Sequence, residues 1–219
     1  MKKILFIHQS ADLYGSDKAL LLLVSCLNKD FFKPIVLLPC NGPLVNELIK
    51  NQISYHVVPL VKISRKTFSL FGLLRLPFNI LKSIHSINKI HNKYKIDIVH
   101  SNTLAVLGGA IWAKIRSIKH IWHVHEMIGN PVIVKSFFNV MLTYFSDLII
   151  CNSNATLKLI SKNNVTISNK SSVIWNGINE PIQTENNKIN TFRNQIGIND
   201  NTVLITLVGR INRWKGQKL

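Results

Sequence analysis

Acidic residues are scarce in this chain. Ten Asp and Glu stand against 27 Lys and Arg in 219 residues, a formal net charge of +17. Such an excess points to an anionic partner: a nucleic acid, an acidic membrane surface or a phosphorylated ligand. The plainer reading is compositional drift in an Ile-, Asn- and Lys-rich sequence. Cysteine is also rare. Cys26, Cys40 and Cys151 are odd in number, far apart and without a C-x-x-C pair, which excludes a disulfide framework and a zinc site. Buried free thiols in a reducing cytoplasm are expected. No apolar run reaches the about 18 residues that a membrane span needs. The best stretch, Phe68 to Leu81, is interrupted by Arg75 and Pro77. The apolar run after the basic start, Ile4 to Ile7, is too short for a signal peptide. The expectation is a cytoplasmic protein able to attach to a membrane but not to cross it. Two glycine fingerprints are missing as well. Without G-x-G-x-x-G a dinucleotide-binding domain is disfavoured, and without G-x-x-x-x-G-K-[ST] a P-loop is excluded.

What is present is apolar and regularly spaced. Hydrophobic residues make up 47% of the chain, enough for one well-buried domain and part of a second. Short apolar runs alternate with helical patterns. KKILFIH, KPIVLLP, ISYHVVP, DIVHS, HIWHVH, DLIIC and SSVIWNG read as strands. SDKALLLLVSCLNK, PLVNELIKN, TLAVLGGAIWAKI, VIVKSFFNVMLTYF and NATLKLISKN read as helices. The strands are continuously apolar, which suits a parallel sheet covered on both faces. The fold class is therefore α/β, a doubly wound, mostly parallel sheet with helices on both faces. After about residue 177 the sequence turns polar. We expect a first domain over residues 1–180, a linker over 181–192 and the start of a second domain over 193–219. Within the last, TFRNQIGI reads as a short helix and TVLITLVG as a new strand.

In open α/β sheets, ligands sit beyond the carboxyl ends of the strands. Asp97 and Asp147 open their strands, so they fall at the other edge and read as caps or turns. Gly15 precedes a helix, where backbone N–H groups could approach an anion. A simple turn explains it equally. In HVHE, His123 and His125 point to one face and Val124 to the other. Three readings stay open there: a metal site lacking a third ligand, a satisfied structural histidine, or a His125–Glu126 pair that orients a hydroxylated substrate. Ser101–Asn102 and Asn152–Asn154 also end strands, and N-capping competes with a cleft role. At the end of the sequence, Arg210 and Lys215 flank a loop closed by Gly216. The pair could grip a diphosphate or form a solvated turn.

These motifs together resemble the front part of glycosyltransferase family 4, with its two-domain GT-B fold. YGSDKALL is similar to the family's glycine loop, often GG-x-E. DIVHSNT resembles its D-x-x-H-x-N segment. IWHVHE resembles the strand ending in His and Asp or Glu, CNSNAT its V-S-x-x-x segment, and VIWNGIN its V-I-x-N-G-[IV]-D. VGRINRWKGQ resembles the G-R-x-x-x-x-K-G loop that opens the nucleotide-sugar domain. The resemblance implies retaining transfer of a sugar from a nucleotide-diphosphate donor, without a metal or other cofactor. It implies that Arg210, Lys215 and Gly216 hold the donor diphosphate and that Gly15 approaches a phosphate or acceptor. His125, with Glu126, would stand near the transferred sugar. Ser16, Asn102, Asn152 and Asn176 would line the acceptor cleft. Tyr14 and Asn179 depart from the family pattern. The family's Glu–Glu pair would lie beyond Leu219, so the chain is expected to be an acceptor domain plus a fragment.

No Asp or Glu occurs between Glu47 and Asp97. From Ile80 onward a helix would bury Ile80, Ile84, Ile87 and Tyr94 and expose Lys82, Lys89 and Lys93. The preceding stretch mixes Lys62, Arg65, Lys66 and Arg75 with Phe68 and Phe71, which suits anionic lipid. The expected partners are a nucleotide sugar, a polyprenyl-linked or lipid saccharide and an anionic membrane surface, with no specific nucleic acid. The expected role lies in surface polysaccharide or lipopolysaccharide assembly, at the inner face of the cytoplasmic membrane. The alternative is a non-catalytic module that binds a saccharide lipid or a second chain supplying the donor domain.

Overall fold

The computed structural model describes residues 1–178, 186–199, 201–209 and 211, with the side chains of Arg65, Lys66, Asn186 and Asn187 left out. Two compact units divide the chain, Met1–Ile178 and Asn179–Leu219. The first unit is built on seven strands: β1 (Lys2–Ile7), β2 (Phe32–Leu38), β3 (Ser54–Val57), β4 (Ile98–Asn102), β5 (Lys119–Val124), β6 (Leu148–Cys151) and β7 (Ser171–Val173). Every pairing is parallel, in the order β3-β2-β1-β4-β5-β6-β7. The chain winds outward from β1 to β3, crosses back beside β1 as β4, then winds the other way. The β1/β4 boundary is the topological switch point.

Helices connect the strands: α1 (Gly15–Cys26), α2 (Pro43–Lys50), α3 (Leu70–Tyr94), α4 (Leu107–Ile115), α5 (Val132–Phe145), α6 (Asn154–Ser161) and α7 (Val165–Asn169). Alternation along the strands feeds two opposite faces. Ile4, Phe6, Val36 and Leu38 pack with Leu20 and Val24 of α1 and Leu44 and Leu48 of α2. Leu5, Ile7, Ile35, Leu37 and Val99 pack with Ile87 and Ile90 of α3 and with Trp112 of α4. Trp122, Val124, Ile149 and Cys151 pack with Phe138 and Leu142 of α5 and Ile160 of α6.

Asp97 and Asp147 sit at the strands' amino edge, as their positions predict. Asp97 accepts from Lys3 N, and Asp147 from Lys119 Nζ and His120 N.

Several elements differ from the expectation. The helix expected from Ile80 begins at Leu70, where Ser69 Oγ caps it by accepting from Gly72 N, and it continues through Pro77. Cys26 and Cys40 are exposed, and only Cys151 is buried. In the second unit, a helix α8 (Asn186–Gln195) starts inside the expected linker. Residues 202–209 form no strand. Their apolar side chains are exposed, because among the described residues no neighbour supplies a backbone ladder.

Candidate active site

The carboxyl ends of β1, β4 and β5 converge on a polar cluster. His8 follows β1 and is fully buried. Its Nε2 lies 2.8 Å from Asp17 Oδ1, and a carboxylate only accepts, so Nε2 donates. Its Nδ1 lies 3.0 Å from Asn102 O and 3.1 Å from Asn102 Nδ2. Asp17 is the third residue of α1. It also accepts from Ser10 Oγ (2.6 Å) and from Tyr14 N (3.0 Å), half of a capping box that fixes the start of the helix. Burial pushes the Asp17 carboxyl up, but the bonds from His8 and Ser10 outweigh it and hold it below its usual range.

Asn102 ends β4 and is buried. Its Nδ2 donates to Ser16 O at 3.3 Å, and its Oδ1 lies 3.1 Å from His125 Nε2. The next residue, Thr103, holds φ at 146°, a region that side chains avoid. That backbone turn aims Thr103 O at Trp122 Nε1 (2.8 Å) and leaves Thr103 Oγ1 buried without a partner. Strain is stored at the tip of β4, beside the cluster.

His125 and Glu126 follow β5. Burial, with the charge of His8, pushes the His125 pKa down to about 4, so its ring is neutral at physiological pH. Behind it, His123 stacks at 4.1 Å between ring centroids, and His100 meets His123 edge-on at 5.6 Å. Burial lowers His123 to about 3 and holds His100 well below its usual value. Neither nitrogen of His123 has a hydrogen-bond partner, nor does His100 Nε2. Glu126 Oε2 accepts from Leu104 N (3.1 Å) and His125 N (3.2 Å), so this carboxylate pins the loops after β4 and β5 together. Burial nevertheless raises its pKa. Among the described residues, no group of three or more His, Cys, Asp or Glu is placed to hold a metal.

The structure thus joins Ser16, Asn102, His125 and Glu126 through one set of contacts. Gly15 opens α1 beside Ser16, is exposed, and has open space where a side chain would stand. Asn152 is apart from this set: its Oδ1 accepts from Thr156 Oγ1 while Ser153 caps α6. Asn176 is exposed beyond the edge strand β7. The chain after it returns toward α1, where a side chain on Gly177 would come within 3.0 Å of Leu22. Arg210, Lys215 and Gly216 lie outside the described residues. His8 and Asp17 were not singled out from the sequence. Asp17 occupies the acidic position of the glycine-loop pattern, the one signal that could have found it.

Beyond the polar cluster, the loop after β5 runs to Pro131 and, with Phe68, Val132 and Val134, lines an apolar groove of about 760 Å³. Leu70, Phe71, Leu74 and Phe78 of α3 and Val132 and Ile133 of α5 are exposed. Lys62 and Arg75 are exposed as well. Phe68 does not face outward as expected. Its ring packs edge-on against Phe137 at 6.0 Å, because the 3₁₀ turn Arg65–Phe68 rotates it onto the core. No helix among the described residues is long and apolar enough to cross a membrane.

A family model described as Glycosyltransferase Family 4 matches residues 15–180. Among solved structures, the chain is similar to Anabaena HepE in complex with UDP and glucose, with 23% identity and a TM-score of 0.68 over 90% of this chain and 50% of that one. It is similar to a glycosyltransferase from Rickettsia africae, with 21% identity and a TM-score of 0.69 over 98% of this chain and 54% of that one. It also resembles a UDP-GlcNAc 2-epimerase from Neisseria meningitidis bound to UDP-GlcNAc, with 12% identity and a TM-score of 0.52 over 78% and 46%. At these identities the likeness shows a shared fold, and an epimerase among the neighbours illustrates that the fold alone does not choose the reaction. The chain spans about half the length of these solved proteins. No curated protein matched.

Proposed function

The chain belongs to Glycosyltransferase Family 4, and from that premise we propose that it forms the acceptor side of an enzyme transferring a sugar from a nucleotide-diphosphate donor. The proposal extends to retention of configuration and to a polyprenyl-linked or lipid saccharide as acceptor. The setting would be surface polysaccharide or lipopolysaccharide assembly, O-antigen included. The observation that carries the reading is the meeting of Ser16, next to Gly15, with Asn102 and His125 at the carboxyl edge of the sheet by the switch point, within the matched residues. A neutral, half-buried imidazole and the start of helix α1 beside it suit a hydroxylated sugar near a phosphate. The UDP and glucose held by HepE support a nucleotide sugar as the donor class. Arg210, Lys215 and Gly216 would grip the diphosphate and stabilise its charge as it leaves. No cofactor enters the proposal.

The apolar, basic surface of α3 and α5 supports attachment to anionic lipid at the inner face of the cytoplasmic membrane. It borders the groove lined by Phe68, Asn130, Pro131 and Val132, which would bring a lipid-borne saccharide from the membrane toward the loop that carries His125.

The test is transfer of radiolabelled sugar from a panel of UDP-sugars into the organic-extractable fraction of bacterial membranes. His125→Ala should lower the rate about 100-fold or more. If the chain transfers nothing yet binds lipid saccharide, it acts as the acceptor side alone and does not complete the reaction. If it neither transfers nor binds, the reading fails.

A further inference from the structure

Asn102 bridges the start of α1 and the residue that follows β5, and its two ends face unlike partners. Its Nδ2 reaches Ser16 O at 3.3 Å and His8 Nδ1 at 3.1 Å. Its Oδ1 reaches His125 Nε2 at 3.1 Å. A backbone carbonyl can only accept, so Ser16 O decides which end of the amide is nitrogen. With Nδ2 committed to that carbonyl, the amide oxygen faces His125. An amide oxygen also only accepts, so the hydrogen between them belongs to His125 Nε2. In a neutral imidazole the other nitrogen is then a bare acceptor.

We propose that Asn102 is a positioning residue: anchored by the Ser16 carbonyl, it locks His125 as the Nε2–H tautomer, so that Nδ1 accepts a hydrogen bond from a hydroxyl of the bound saccharide. The role in sugar binding rests on the transferase reading above. The tautomer lock does not. The choice of amide over carboxylate has a chemical consequence. An Asp here would keep the shape but place a negative charge on Nε2. That charge would favour the imidazolium, which donates from both nitrogens and cannot accept from a hydroxyl.

The lock is tested by two-bond ¹H–¹⁵N correlation spectra of the ¹⁵N-histidine-labelled protein, with His125 assigned by substitution. The wild type should show His125 as neutral Nε2–H from about pH 5 to about 8. Asn102→Leu should produce a mixture of tautomers. Asn102→Asp should raise the His125 titration by about 1–3 pH units. A wild-type Nδ1–H tautomer overturns the proposal, as does an unchanged ratio in a folded Asn102→Leu protein. If Asn102→Leu does not fold, Asn102→Asp still decides, because an unmoved titration overturns the lock. In the transfer assay, Asn102→Asp should lower kcat/KM and move the acid limb of the pH profile upward. Unchanged kcat/KM and profile would overturn the positioning role. No transfer by the wild type, with the lock seen in the spectrum, would count against the transferase reading and leave the lock standing.

Discussion

At Gly108 the absence of one methyl group sets the spacing between two helices. A Cβ there would overlap Ser83 Oγ, where α4 packs on α3. That hydroxyl is buried without a partner. Gly108→Ala should therefore cost about 1–3 kcal/mol in urea unfolding. Ser83→Ala should cost little, since it removes an unpaired polar atom, and it should recover part of the loss in the double variant. Strict additivity would show that the two sites do not press on each other. The histidines predict a pH response. His100, His123 and His125 stay neutral in the fold because burial, above all, lowers their pKa values. In the unfolded chain they take up protons below about pH 6.5. Their contribution is fully present above that value and is lost as pH falls toward about 4, the folded value of His125. Glu126, with its raised pKa, works in the opposite sense and offsets a little of the loss. Thermal melts should show Tm falling across this window, with a shallower fall in His123→Phe, and a flat Tm would contradict it. His125 and Glu126 were legible because HVHE ends an apolar strand. Asp17 was not, since an acid in a helix's first turn ordinarily caps it in solvent. Its burial depends on β4 crossing back beside β1 and delivering Asn102 to His8, which no local pattern states.

At the scale of an element, α3 shows where sequence rules bend. Pro77 read as a break, since proline lacks the N–H for the helix ladder and clashes with the turn before it. The helix continues because Ser69 caps its start and Leu76 and Ile80, either side of the proline, pack on the core. Pro77 itself is exposed. The expected division of the later turns holds: Ile87 is buried, while Lys82, Lys89 and Lys93 are exposed. The earlier turns differ, with Leu70, Phe71 and Leu74 turned outward at 73%, 75% and 70% exposure. Three neighbouring side chains so exposed, beside Arg75 and in a stretch of sequence without Asp or Glu, form a surface suited to a lipid interface rather than to water. Vesicles containing anionic lipid should retain the protein at low salt. Phe71→Glu with Leu74→Glu should weaken retention about tenfold or more, through lost insertion and added repulsion. Arg75→Ala should weaken it about fivefold, by the loss of roughly 1 kcal/mol. Retention that ignores all three changes would move the contact elsewhere on the molecule.

At the scale of the whole molecule, the sheet was legible because its strands are apolar on both faces and separated by helix-length segments, which dictates parallel pairing. The strand order and the switch point follow from contacts between distant segments, and only the structure supplies them. The segment Thr202–Gly209 marks the limit of that legibility. Its composition is that of a buried parallel strand, yet Val203, Ile205 and Val208 are 84%, 91% and 94% exposed and no ladder forms. A strand is a property of a pair, and its own sequence cannot state whether a partner is at hand. Among the described residues nothing forms a ladder with residues 203–209, and an apolar segment left so exposed favours association. The protein at net charge +17 should repel its own copies at long range, so association should rise as salt screens that repulsion. Light scattering across protein concentration should show reversible growth in mass that is steeper at high salt. Ile205→Lys with Val208→Lys should suppress it. Phe71→Glu with Leu74→Glu should leave most of it in place, which separates this segment from the exposed apolar surface of α3. If the α3 change alone abolishes the growth, the contact belongs to α3. A monodisperse monomer at every salt concentration would show that Thr202–Gly209 is already satisfied in solution.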